Sequence, residues 1–328
     1  MSLDLNSLAA EIIAGRRLTR ADDLALLLET DLRALCESAD RIRAALVGDR
    51  VDLCAIIAAR GGGCPEDCKY CAQSARNRAN FAPFPFRSEP EILAAFDASA
   101  KNGVDRFSLV ASGRALTGEE FERALSACEA MRKRGGVKRC ASMGFLTKQQ
   151  LERLRDAGVS SYHCNIETSR RYFPSVCSTH SFDQKLAVLE RVKEVGLRLC
   201  SGGIVGMGET WEDRIDMALT LAEYRVDSIP INVLIPIEGT PFENLPRMTE
   251  PDILRTVAIF RWLNPSADIR LAAGRGLLPN SGEPAFRAGA SAAIVGDMLS
   301  TEACASIRAD RAVLDSLGRD LKPLPTLN

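Results

Sequence analysis

The 328-residue sequence predicts an α/β fold, a (β/α)8 barrel of the TIM type with an N-terminal helical extension. Three observations carry that prediction. Short apolar, β-rich runs recur eight times along the chain. Stretches with 3.6-residue periodicity lie between them, the grammar of parallel strands joined by crossover helices. No βα turn carries the glycine fingerprint of a dinucleotide site, which would have favoured an open doubly wound sheet.

The elements follow in order. Residues 1–48 precede the first strand, and "TRADDLALLLE" predicts a capped amphipathic helix with Thr19 at its N-cap. This segment is expected to cap the barrel as a helical extension. The barrel itself is assigned to 49–318, with strands at 51–58, 106–112, 138–144, 160–167, 197–203, 228–234, 268–274 and 291–296. Among the helices, "SEPEILAAFDASAKNG" starts at an N-cap Ser88 and stops at Gly103. "TKQQLERLRDAG" begins at Thr147, sets Gln150 in capping-box position and ends at Gly158. "TWEDRIDMALTLAEY" and "TEPDILRTVAIFRWL" repeat the pattern. The Pro-containing end, 319–328, is expected to be a flexible tail.

Composition excludes several classes. The formal net charge is −1 and aromatics make up 5%, so neither a field for nucleic acid nor base-stacking platforms are expected. No apolar run reaches the roughly 18 residues that span a bilayer. The start, "MSLDLNSLAAEIIAGRRLTRADD", lacks the layout of a secretory signal, and a cytoplasmic protein is expected. Eleven cysteines in a reducing compartment point to metal or redox chemistry before disulfides. With only His163 and His180 in the chain, any metal is expected on thiolates.

The run "GGGCPEDCKYC" concentrates that chemistry. Cys64, Cys68 and Cys71 fall within eight residues, spaced C-x3-C-x2-C, directly after the first strand. In a barrel that loop lies at the C-terminal mouth, where active sites sit. A structural zinc site wants four closed ligands, usually as two separated pairs, and no companion pair is present. Three thiolates on one loop suit an iron–sulfur cluster with one iron left open to a small molecule. Tyr70, just before the last cysteine, could cover a bound adenine.

C-x3-C-x-aromatic-C behind a first strand resembles the radical S-adenosylmethionine superfamily. The resemblance implies a 4Fe–4S cluster on Cys64, Cys68 and Cys71. It also implies S-adenosylmethionine on the open iron and a nucleoside radical that abstracts hydrogen from unactivated carbon. "CPEDCKYCAQSAR", "YHCNIETS", "LCSGGIVGMGETWEDR", "SIPINVLIPIEGTP" and "IRLAAGR" together resemble the biotin synthase family over about residues 50–300. That resemblance implies sulfur insertion into dethiobiotin, an external electron donor of flavodoxin or ferredoxin type, and a homodimer. Two rival families share the three-cysteine loop, the hydrogenase-cofactor maturases and the methylornithine synthases. A non-enzymatic iron–sulfur carrier is the third alternative.

Further residues carry over by position. Asn165 and Glu167 lie two apart, on one face of the fourth strand, at positions that bind ribose and methionine. Glu167 stands where Asp is more familiar. Lys185 falls where an Arg often meets the methionine carboxylate, without the bidentate fork. Gly202 and Gly203 allow close backbone approach around a nucleoside, with Ile204 and Met207 against adenine. By itself such a glycine run is more often a plain turn. Asn232 matches an asparagine facing the ureido ring, since an amide both donates and accepts. His163 stands where another asparagine is found near substrate, although a lone strand histidine is more often structural.

A second cluster, 2Fe–2S in the better-known members, is implied deeper in the barrel. Cys140, Cys200 and Arg270 match three of its four ligand positions. The fourth is Ser108, a poor iron–sulfur ligand. Cys54 on the first strand occupies a position that is commonly serine in the same cavity. A Ser/Cys exchange between neighbouring strands therefore leaves Cys54, Cys140 and Cys200 to hold a cluster of 2Fe–2S or other nuclearity, with Arg270 as ligand or charged neighbour. The bland reading of Cys54 is a small buried apolar residue. Cys177 reads equally as a mouth residue or a loop thiol. Cys36, Cys128, Cys164 and Cys304 read as core.

Overall fold

Strand β1 (Asp52–Arg60) pairs in parallel with β2 (Arg106–Ala111), which continues to β3 (Lys138–Ser142), β4 (Val159–His163) and β5 (Arg198–Cys200). From its other edge β1 continues to β9 (Ala292–Val295), β8 (Asp268–Leu271), β7 (Ser228–Val233) and β6 (Gly203–Val205). A β5–β7 pairing at Cys200–Ser228 closes the sheet into a barrel. The computed structural model describes residues 5–296 and 306–324. The fold is the expected (β/α)8 barrel, and the eight strand runs all appear, but the fourth ends at His163, so Asn165 and Glu167 follow it on a loop, with Glu167 at φ 72°, and do not share a strand face.

One run divides. The fifth, 197–203, becomes β5 and β6, two pieces of one barrel position. The interruption is at Gly202, whose N–H donates to the Asn165 side chain while its carbonyl accepts from Ile166 and Glu167. Those bonds to the β4 side take the place of a regular ladder.

Helices α1 (Leu5–Ile13), α2 (Ala25–Glu29) and α3 (Leu32–Leu46) precede β1, and α3 packs on both α1 and α10 (Glu250–Leu263). The outer ring also holds α4 (Glu89–Lys101), α5 (Gly118–Arg134), α6 (Lys148–Asp156), α7 (Phe173–Val176), α8 (Phe182–Glu194) and α9 (Trp211–Glu223). Short α11 (Glu283–Phe286) and α12 (Ile307–Ser316) follow. Ser88, Thr147 and Thr210 cap their helices with full capping boxes to Glu91, Gln150 and Asp213, each cap contributing about 1 kcal/mol. Thr19 does not start a helix. Its N–H and hydroxyl both bond the Asp22 carboxylate, which also pairs with Arg16, and the helix begins only at Ala25. Local side-chain bonds have replaced the first turn.

The chain end is held further than expected. Lys322 Nζ bonds the carbonyls of Val104 and Gly136, and Arg311 bonds the Lys322 carbonyl. Residues 325–328 of the tail and Cys304 lie outside the described residues.

Alternation sets the interior. Leu53, Ala55 and Ile57 of β1, Phe107 and Leu109 of β2, and Ile229 and Ile231 of β7 are buried under the helices. Phe107 meets Phe96 of α4 edge-on at 5.5 Å. Cutting such a phenylalanine to alanine costs about 3–5 kcal/mol. The intervening residues face the barrel axis, and most are small: Cys54, Ser108, Cys140, Ser161, Cys200 and Ser228 stand there with only three branched aliphatics, Ile56, Val110 and Ile294. Small polar residues cannot fill a barrel that Val, Ile and Leu would pack solid. A cavity of about 210 Å³ remains.

Candidate active site

The β1 strand ends at Arg60, and the chain turns into the cysteine loop at the mouth. Gly62 (φ 76°) sits in the left-handed region, and a Cβ there would press on Pro83. The loop is then stitched to itself. Cys64 N–H donates to the Gln73 carbonyl at 3.0 Å, and Ala75 N–H donates to the Cys64 carbonyl at 2.8 Å. Asn77 Nδ2 reaches the carbonyls of Cys68 (3.1 Å) and Cys71 (2.8 Å). Backbone bonds thus hold the loop and leave the thiols of Cys64, Cys68 and Cys71 half-buried.

A mouth cavity of about 260 Å³ opens beside this loop. Tyr70, Cys71, Asn165, Glu167, Ile204 and Asn232 line it. Glu167 sits at φ 72°, and its Oε1 lies 3.5 Å from Lys185 Nζ. Its other oxygen is buried without a partner among the described residues. A buried carboxylate oxygen is costly to leave unpaired and so calls for a donor. It is the acceptor that a ribose hydroxyl would satisfy. Burial by itself would lower the Lys185 ammonium, but Cys164 and Glu167 nearby hold its pKa above the usual range. The buried ammonium therefore stays charged beside Glu167. Burial, then the Glu167 charge, pushes the Tyr70 phenol up and keeps it neutral.

Gly202, Gly203, Met207 and Lys185 do not line this cavity. At Gly202 and Gly203 a Cβ would collide with the carbonyl oxygens of Pro230 and Glu167. Their smallness thus serves strand packing. Met207 is buried with Val176 and Leu234 in a small core that carries Tyr70 and Ile204 on its surface. It packs behind Tyr70 and Ile204 and does not join them at the cavity wall.

The inner cavity continues below the mouth, and Asn165 and Asn232 line both. Asn165 Oδ1 accepts from Gly202 N–H at 3.0 Å. Asn232 donates to the Gly203 carbonyl at 3.0 Å and accepts from Ala273 N–H at 3.2 Å. Each of these backbone anchors leaves part of the amide for a ligand.

Cys54, Cys140, Cys200, Arg270 and Ser108 meet in the inner cavity. Cys54 and Cys140 lie close enough to interact, which lowers the Cys140 thiol and raises that of Cys54. Burial raises Cys200 to about 11. Burial also depresses His163, to about 4, with Lys185 and Arg270 adding to the effect. His163 is therefore neutral, with Nδ1 at 3.3 Å from Cys200 Sγ. Its closest polar neighbour is a thiol.

Arg270 bonds the Asp52 carboxylate at 2.6 Å and the carbonyls of Asp52 and Ala293. Arg106 bonds the same carboxylate at 2.9 Å. Burial would raise the Asp52 carboxyl, yet the two guanidinium groups hold it below its ordinary range. Neither Asp52 nor Arg106 stood out in the sequence, because each belongs to the site only through strand pairing.

The loop after β4 adds one more thiol. Cys177 Sγ lies 3.8 Å from Cys68 Sγ and 3.3 Å from His180 Nδ1. The hydrogen bond between the two sulfurs pulls Cys177 down to about 4 and pushes Cys68 up. Of the two readings open for Cys177, the structure places it at the mouth. The C-x2-H spacing was its one sequence signal.

Comparison with known proteins agrees with this geometry. Residues 60–221 match the radical SAM superfamily, and residues 230–320 match the Biotin and Thiamin Synthesis associated domain. A biotin synthase of Clostridium beijerinckii is 49% identical over 96% of this chain and 99% of its own. One of Alkaliphilus metalliredigens is 46% identical over 96% and 99%, and "Biotin synthase 2" of Corynebacterium diphtheriae is 43% identical over 97% of each. Among solved structures, a methylornithine synthase superposes with a TM-score of 0.80 over 97% of this chain and 98% of its own, at 19% identity. An FeFe-hydrogenase maturase from Carboxydothermus hydrogenoformans gives 0.75 over 96% and 78%, at 19% identity. Those two share the fold alone, whereas the sequence relatives share residues along nearly the whole barrel. The chain belongs to the biotin synthase family of radical S-adenosylmethionine enzymes.

Proposed function

We propose that this chain inserts sulfur into dethiobiotin to form biotin, with the mouth cavity for S-adenosylmethionine and the inner cavity for substrate and sulfur source. The observation that carries this reading is the stacking of two cavities through Asn165 and Asn232. A three-cysteine loop borders the upper one and three thiols on separate strands line the lower. A reaction that breaks C–H bonds and forms C–S bonds needs both ends of one molecule within reach of both centres.

The residues take these parts. Cys64, Cys68 and Cys71 hold a 4Fe–4S cluster. Lys185 meets the methionine carboxylate, and the unpaired oxygen of Glu167 accepts from ribose. Tyr70 and Ile204 cover the adenine, with Met207 behind them and Gly202 and Gly203 shaping the backbone. Asn232, with its remaining N–H and lone pair, orients the ureido ring. His163 packs by Cys200 at the edge of the substrate space. Cys54, Cys140 and Cys200 hold the second iron–sulfur cluster, with Arg270 as ligand or balancing charge. When bound, the first cluster and S-adenosylmethionine supply hydrogen abstraction and the second cluster supplies sulfur. The protein's own contribution is to align the two centres and exclude water from the path between them.

An external flavodoxin- or ferredoxin-type donor and a homodimer belong to the same reading. So does a reducing, cytoplasmic setting, supported by ten described cysteines that are all free. No described helix is long and apolar enough to cross a membrane.

The test is anaerobic reconstitution with iron and sulfide, followed by S-adenosylmethionine, reductant and dethiobiotin, with both products quantified by mass spectrometry. Two C–H cleavages predict about two 5′-deoxyadenosines per biotin. Nucleoside without biotin would keep the radical chemistry and reject dethiobiotin as substrate or the second cluster as sulfur source.

A further inference from the structure

Cys177 and His180 follow α7 and face Cys68 across the mouth, and the sulfur-insertion reading gives them no task. We propose that Cys68, Cys177 and His180 form a site for one divalent transition-metal ion, filled in the cluster-free chain and exclusive of the cluster. The site stands on its own geometry. Its exclusivity rests on the reading of Cys68 as a cluster ligand.

The three ligand atoms lie within 4.8 Å of one another, and among the described residues no other His, Cys, Asp or Glu group of three does so. Their spacing suits a tetrahedral ion. Metal–sulfur and metal–nitrogen bonds of about 2.3 and 2.0 Å set edges of about 3.8 Å between thiolates and about 3.5 Å from thiolate to imidazole. The observed separations are 3.8 Å for Cys68–Cys177 and 3.3 Å for Cys177–His180. The set is also preorganised. The His180 ring is wedged edge-on against Phe145 (5.1 Å) and Phe173 (5.6 Å), which fixes where Nδ1 points. Cys177 and His180 are 4% and 6% exposed.

Carboxylates complete the surroundings. Asp67 Oδ1 lies 3.1 Å from Cys177 Sγ, and Glu66 Oε2 bonds His180 Nδ1. Either oxygen could become the fourth ligand, and Arg114, 3.0 Å from the other Glu66 oxygen, balances the charge. Two thiolates and one imidazole select zinc, cobalt or ferrous iron over magnesium or calcium. Binding uses the Nδ1 lone pair of the neutral His180 ring, its proton carried on Nε2, and releases to solvent the proton that the Cys68 and Cys177 sulfurs share. Cys68 cannot serve this ion and the cluster at once, so assembling the cluster requires the ion to leave.

Co²⁺ is the probe, titrated into the cluster-free, chelator-treated full chain. The expected result is thiolate-to-cobalt charge-transfer absorption and strong tetrahedral d–d bands, lost in both Cys177→Ala and Cys177→Val. The bands should survive Cys140→Ala and Cys64→Ala, which exclude binding by the inner thiols or the cysteine loop alone. Circular dichroism checks that each variant folds. Pre-loading with Zn²⁺ should slow cluster assembly in the wild-type chain and not in Cys177→Ala. Bands that persist in the Cys177 variants, or no thiolate bands in the wild type, overturn the site. Equal assembly rates with and without Zn²⁺ overturn its exclusivity. If Cys64→Ala retains the full iron content, the cluster reading fails while the cobalt result still stands or falls separately.

Discussion

The cysteines at the mouth and the cysteines inside the barrel are held by opposite means. Cys64, Cys68 and Cys71 sit on one loop, spaced by the covalent chain and pinned by backbone bonds such as Cys64 N–H to Gln73. Cys54, Cys140 and Cys200 come from β1, β3 and β5, and only barrel closure brings them to one cavity. The mouth group is half-buried. In the inner group Cys54 and Cys140 are buried and Cys200 is half-buried, and Arg270, Arg106 and Asp52 stand around that end of the barrel. A loop can carry its ligand set intact from one protein to another. A set spread over strands can in principle change strand, because neighbouring strands present side chains to the same space, as Cys54 and Ser108 do here.

The largest expected effect tests the mouth. Cys71→Ala should abolish both 5′-deoxyadenosine and biotin, because the radical step needs the loop cluster. Nucleoside production at wild-type rate would break the comparison at its root. Next comes the interior. Cys54→Ala should leave 5′-deoxyadenosine formation in place, abolish biotin, and lower iron and sulfide per chain. Unchanged iron and sulfide would return Cys54 to the role of a small buried residue. The exchange itself can be reversed: Cys54→Ser combined with Ser108→Cys should recover iron that Cys54→Ser alone loses.

A third test addresses stability. Asp52→Ala removes the carboxylate from between two buried guanidinium groups, and urea unfolding should show a loss of about 3–5 kcal/mol. By contrast, Arg76→Ala on the mouth loop removes one exposed bond to the Pro65 carbonyl and should cost at most about 0.5 kcal/mol. Equal losses would mean that the inner wall is no more tightly held than the rim.

The smallest effect is a pH dependence. Asp213 caps α9, bonds Ser169 at 2.6 Å and so ties the loop after Glu167 to the outer ring. Burial would raise its carboxyl, but Ser169 and Thr210 hold it below the ordinary 3.8. A depressed carboxyl stabilises the fold above its unfolded pKa and loses that contribution as pH falls through the folded value. Asp213→Asn should therefore cost about 1 kcal/mol at neutral pH, and the difference from wild type should shrink as pH falls below 3.8 and vanish only below the lower, folded value. A constant difference across that range would show that the carboxyl's charge plays no part.

Much of this was legible before the structure. Strand runs, capping boxes and the three-cysteine loop are local, and the residues that make them are neighbours in sequence. Thr19 shows the limit of local reading. Its cap-like pattern was real, but Asp22 satisfied it as a turn, and no tertiary contact restored the helix. Met207 shows another limit. The run around it follows a barrel strand, yet its side chain lies in a small core and not in the cavity.

The sequence by itself determined the barrel and its mouth chemistry, since periodicity, caps and C-x3-C-x2-C spacing act over a few residues. Tertiary structure alone decided that Asp52 and Arg106 join Arg270, that Cys177 faces Cys68, and that one oxygen of Glu167 lies buried without a partner among the described residues. Those facts depend on strand register and on how loops from different strands settle together. Contacts between residues tens to hundreds of positions apart have energies that exist only once the barrel has closed.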